Sequence, residues 1–101
     1  MRSKKRWGLC GDAGSECFAA AKSTWQDVQQ AAEAAYDRSG DCSFTSFVGY
    51  EWTANVGAGQ NLHHNVIFRN EQVPDHALSW IETPSQVQLW DYLEQACVQD
   101  R

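Results

Sequence analysis

The chain has 101 residues, the size of one small domain, with 43% hydrophobic and 12% aromatic residues and five tryptophans; this excludes a disordered or low-complexity chain. Thirteen acidic against eight basic side chains leave a net charge of −5, which excludes nucleic acid as a partner because phosphate binding needs a basic face. No segment approaches the roughly 20 apolar residues of a membrane span.

The one basic cluster, Arg2-Ser3-Lys4-Lys5-Arg6, is not followed by the apolar stretch of a signal peptide. Residues 1–14 carry breakers and little periodicity, so they read as a solvated tail and loop ahead of a domain over 15–101. The four cysteines, Cys10, Cys17, Cys42 and Cys97, contain no Cys-x-x-Cys pair, which argues against a zinc knuckle or a thioredoxin-type motif. They allow three pairings, among them Cys10 with Cys17 across a short loop and Cys42 with Cys97 across the domain. Sequence leaves the choice open, and with it the compartment, periplasmic, secreted or cytoplasmic.

The first helix is expected to start near Ser23 or Thr24, with Thr24 capping and Asp27 three residues later. Trp25, Val28, Ala32, Ala35 and Tyr36 recur at helical spacing as one apolar stripe, and Ser39-Gly40 supplies the stop. A strand is expected from Phe44 to about Thr53, apolar enough to be covered on both faces. Ala54 to Gln60, with Gly57 and Gly59, reads as a flexible connection, and a second strand spans Leu62 to Arg69. The polar, Pro-containing run 69–76 is loop. The last helix opens at Thr83-Pro84 with Gln86 completing a capping box, and carries Val87, Trp90, Leu93 or Glu94, and Cys97 at helical spacing, widened by Leu89 and Ala96. The order is helix, strand, strand, helix. Two strands are too few for a self-sufficient sheet, so the chain reads as a piece of a larger α/β protein.

Glu51 is the anomaly in this inventory, a carboxylate inside an apolar strand, where charge is tolerated when paired or metal-bound. Strand alternation puts Gly49, Glu51 and Thr53 on one face, and His63, Asn65 and Ile67 on the corresponding face of the next strand. His64 falls with Leu62, Val66 and Phe68 on the opposite, apolar face. Glu51 and His63 thus point to one polar interior, where a carboxylate and a neutral imidazole are ligands suited to Zn, Mn or Fe. Asn65 is placed to orient a ligand by hydrogen bonding. Gly49 leaves room close by for a ligand or a second backbone. A buried, hydrogen-bonded Glu51–His63 pair without metal satisfies the same pattern. An Asp-His step is sometimes metal-binding, but Asp75-His76 lies in a polar loop between Pro74 and Ala77 and is assigned no function. No Ser-His-Asp motif, phosphate-binding glycine loop or nucleophile elbow is present, so no catalytic nucleophile is assigned.

The run Phe44-Thr45-Ser46-Phe47-Val48-Gly49-Tyr50-Glu51-Trp52-Thr53, followed by Asn61-Leu62-His63-His64-Asn65-Val66-Ile67-Phe68-Arg69-Asn70, resembles the signature of an uncharacterised bacterial family. That family is related to the polymerase-and-histidinol-phosphatase (PHP) metal-dependent phosphoesterases, and the likeness covers most of residues 17–97. The resemblance implies an α/β fold, a distorted β/α barrel whose strand ends hold two or three metal ions, and a small phosphoester substrate. It carries the middle-strand glutamate onto Glu51 and the following histidine onto His63, with a basic residue usual where His64 stands. The family's His-x-His, its Asp-His pair and its later histidines have no match here. The chain is therefore expected to be an internal fragment of a PHP-like hydrolase, inactive alone, with the rest of the barrel as its partner. The rival expectation is a disulfide-stabilised interaction module with Glu51–His63 as a structural ion pair.

Overall fold

A computed structural model describes residues 8–99; the basic cluster at 2–6 and the terminal Asp100-Arg101 lie outside them. Two short 3-10 turns, Gly8–Cys10 and Asp12–Gly14, lead into helix α1 (Ser15–Ala35). Strands β1 (Gly49–Gly57) and β2 (Gln60–Ile67) form an antiparallel hairpin, and helix α2 (Gln86–Glu94) runs on into a π-turn at Gln95–Gln99.

The expected β/α barrel is not what these elements build. They make two helices and one open, two-stranded antiparallel sheet. A barrel needs parallel neighbours joined by helical crossovers. Here the connection between the strands is a tight reversal at Ala58-Gly59, with left-handed backbone at Gly57 (φ 97°), Ala58 (φ 52°) and Gly59 (φ 75°). The glycines that suggested a flexible connection are turn residues instead, and they carry β1 on to Gly57. The register pairs Glu51 with Asn65, Thr53 with His63 and Trp52 with His64.

One face of the hairpin is covered and the other is open, where cover on both faces was expected. Trp52, Ala54 and Val66 point inward to a core completed by Trp25, Val48, Phe68, Leu78 and Leu89. Trp52 and Leu89 are only 1% exposed. Gly49 has a steric cause: a Cβ there would stand 2.8 Å from the Val66 carbonyl oxygen, so β2 itself fills the room the glycine leaves.

Both helices begin elsewhere than the capping signals indicate. α1 starts at Ser15, behind left-handed Gly14 (φ 78°) and beside a Cys10–Cys17 disulfide, and Thr24 sits mid-helix donating to the Ala20 carbonyl (3.1 Å). Of the anticipated stripe on α1, Trp25 alone is buried. α2 is capped by Ser85, whose hydroxyl accepts from the Gln88 amide at 3.3 Å. Thr83 is engaged elsewhere, accepting from Trp52 Nε1 (3.2 Å) and donating to the Ser79 carbonyl (3.0 Å). The buried face of α2 is centred on Leu89, leaving Val87 and Trp90 half exposed. Cys42 and Cys97 are free thiols.

Candidate metal centre

The side chain of Glu51 reaches diagonally across the hairpin to His63. Glu51 Oε1 lies 2.6 Å from His63 Nδ1. Diagonal neighbours on one face of an antiparallel pair are within reach of long side chains. Thr53, directly opposite His63, completes the group: its hydroxyl donates to Glu51 Oε1 (3.1 Å) and lies 3.0 Å from His63 Nδ1. Thr53 shares the parity of Glu51, which is the signal in the sequence for its place here.

The pair stands on the open face rather than in a polar interior. The Glu51 and His63 side chains are 54% and 56% exposed, because nothing among the described residues packs over this side of the sheet. Asn65 is across from Glu51 in the register, on the same exposed face. With Nδ1 taken up by the carboxylate, His63 presents Nε2 outward, the arrangement in which a carboxylate orients an imidazole for a further partner.

The other two histidines are elsewhere. His64 is half-buried on the core side, its Nε2 3.0 Å from Gln86 Oε1 and its ring between Trp52 and Trp90, with centroids 5.7 and 6.2 Å away. It ties the hairpin to the first turn of α2. His76 lies between the rings of Phe18 and Tyr92. Its Nε2 is 3.3 Å from Glu82 Oε1, close enough for an ion pair but misaligned for a hydrogen bond. This loop residue therefore joins α1 to α2.

The donor set of Glu51 and His63, one carboxylate oxygen and one imidazole nitrogen, fits a divalent metal in kind. It falls short in number. Among the described residues no group of three or more His, Cys, Asp or Glu side chains is arranged to hold a metal ion. Along the outer edge of β1 lies a cleft of about 400 Å³ between residues 50–53 and 77–81. Glu51 and Thr53 belong both to this cleft and to the group around His63.

No described helix is long and apolar enough to cross a membrane. Comparison with curated proteins and with solved structures finds no match. A family model described as "Protein of unknown function (DUF3604)" matches residues 3–101, and nothing in that match links the family to PHP phosphoesterases. The chain belongs to the DUF3604 family.

Proposed function

We propose that this chain supplies Glu51 and His63 to a divalent metal site of a hydrolase of phosphoesters, the chemistry that the likeness to PHP phosphoesterases implies, with further ligands from polypeptide outside the described residues. The 2.6 Å contact between the two side chains on a solvent-facing sheet surface carries this reading. Thr53 and Glu51 hold the His63 ring at Nδ1, leaving Nε2 as the nitrogen for one metal, while the second oxygen of Glu51, on the Nδ1 side of the ring, is left for a second ion of the same centre. A cation bound there supplies a Lewis acid and lowers the pKa of a coordinated water toward neutrality. Asn65, across from Glu51, is positioned to hydrogen-bond a ligand on the same face. Two protein ligands are fewer than the three a catalytic zinc site keeps, so the chain by itself binds metal weakly and turns nothing over.

Calorimetric titration of Zn²⁺ or Mn²⁺ into the intact protein tests this. Glu51→Gln and His63→Ala are each expected to weaken binding by at least about tenfold. Unchanged binding in both variants rejects the reading.

The alternative is a non-enzymatic interaction module in which the same pair is structural. The Thr53 hydroxyl favours it, since it already satisfies both partners without a metal. Under this alternative Glu51→Gln lowers the melting temperature and metal has no effect on either protein.

A further inference from the structure

We propose that the outer edge of β1 receives an extended segment of a partner polypeptide as a third strand, its side chains alternating aliphatic and basic. The backbone bond from Phe68 N to the Val48 carbonyl (2.9 Å) sets the phase of the ladder. Tyr50, Trp52 and Ala54 accordingly bond to β2, while the amides and carbonyls of Glu51 and Thr53 point to the outer edge. No other described strand meets them there. The edge lacks the usual protection against an added strand, since residues 49–57 contain no proline, lysine or arginine. It borders the cleft of about 400 Å³ that residues 77–81 close on the other side. The proposal uses main-chain groups of Glu51 and Thr53 and not their side chains, so it stands apart from the metal reading.

Backbone, wall and charge agree on the occupant. Donors and acceptors that recur at every second residue of β1 match another extended backbone, and a third strand relieves the marginal stability of a two-stranded ribbon. The rings of Tyr50 and Trp52 are packed in or against the core, so the apolar wall of the cleft is Ala77, Leu78 and Ile81. Leu78 belongs to the core, and Ile81 is 43% exposed. Alternate side chains of an added strand turn to this wall, where no lysine, arginine or histidine stands, and are aliphatic. The intervening ones turn to the open face with Glu51 and Thr53. Leaving out Arg2, Lys4, Lys5, Arg6, Asp100 and Arg101, the described residues hold twelve acidic and three basic side chains. That balance repels an acidic segment and steers in a basic one, so the open-face positions take lysine or arginine.

The probe is the peptide acetyl-Lys-Val-Lys-Val-Lys-amide, titrated into the full chain without metal and followed by amide hydrogen exchange in NMR spectra. The peptide is expected to slow exchange at the Glu51 and Thr53 amides and to leave the Trp52 amide, already bonded to β2, unchanged. Proline at the peptide's central position removes a ladder donor and is expected to weaken binding about tenfold. Glutamate in place of all three lysines is expected to weaken it at least as much. In the protein, Thr53→Pro removes an edge donor and Ile81→Asp puts a charge on the wall. Both variants are expected to lose binding, and the exposed position of Ile81 keeps the test open if proline disturbs the hairpin. No slowing at Glu51 and Thr53, equal binding of the proline peptide, or binding indifferent to Ile81→Asp overturns the proposal. Slow exchange of those two amides in the protein alone overturns it too. In a dimer by sedimentation it means that a second copy holds the edge, and in a monomer that a segment of the chain itself does.

Discussion

The indole of Trp25 donates a hydrogen bond to the carbonyl of Pro74 at 2.7 Å, across 49 residues of sequence, with both residues buried. This bond joins the middle of α1 to the loop between β2 and α2. The Trp25 ring also packs edge-on to Tyr50 and tilted against Phe68, with centroids 5.6 and 5.9 Å away. One side chain thereby locks helix, hairpin and loop together.

Trp25→Phe keeps much of this packing and removes the donor, leaving the Pro74 carbonyl buried and unpaired. The expected loss is about 1–3 kcal/mol. Trp25→Ala removes the packing as well and is expected to cost about 3–5 kcal/mol. Urea denaturation checks both; a loss below 0.5 kcal/mol (about a twofold change in the folding constant) for Trp25→Phe contradicts the assignment.

The cysteine arrangement gives two free thiols per chain, at Cys42 and Cys97, and one Cys10–Cys17 bond. Thiol titration is expected to count one fast-reacting group under native conditions, the exposed Cys42, and two after unfolding without reductant. Reducing the disulfide, which closes a loop with a sequence separation of 7, is expected to lower stability by about 2 kcal/mol on the chain-entropy model. Four thiols in the unfolded, unreduced chain would exclude the bond.

Asp37 organises the loop after α1. Its carboxylate accepts from the Ser39 amide (2.9 Å), the Ser43 amide (2.9 Å) and the Ser43 hydroxyl (2.6 Å). These bonds, from Ser39 and then Ser43, hold its pKa well below the usual carboxylate range. A depressed folded value means that the contribution to stability is present above the unfolded pKa and is lost as pH falls through the folded one. Asp37→Asn is therefore expected to flatten the melting-temperature profile below about pH 4. A variant profile parallel to wild type there contradicts this role.

Tyr50 lies between the hairpin and Tyr92. Burial first, and then the neighbouring Tyr92, push its phenol up to about 12. The folded state thus holds this proton more tightly than the unfolded state, so stability falls as pH rises above about 10, the unfolded value. Ultraviolet titration is expected to show late-ionising tyrosine that is diminished in Tyr50→Phe, leaving Tyr92, itself raised by burial, still above normal. Normal ionisation of all tyrosines while the chain is folded contradicts the packing.

Local chemistry carried much of this molecule. The pleat repeats every two residues, so reading Glu51, Thr53, His63 and Asn65 onto one side of a strand pair needs no tertiary information, and the same parity sends His64 to the other side. The four main elements and their order are also legible, from glycines and apolar spacing. Tertiary structure decided the rest. Periodicity says which residues share a face but not whether that face is covered; the Glu51 face is open because the aromatic core gathers on the Trp52 side. Capping signals are equally local: Thr83 lost its cap to the indole of Trp52, and Thr24 lost its own to a helix already running from Ser15. A tight turn at Ala58-Gly59 made the strands antiparallel neighbours and left no barrel to build. Chain reversal and burial depend on what lies across space, and one strand's sequence does not contain its neighbours.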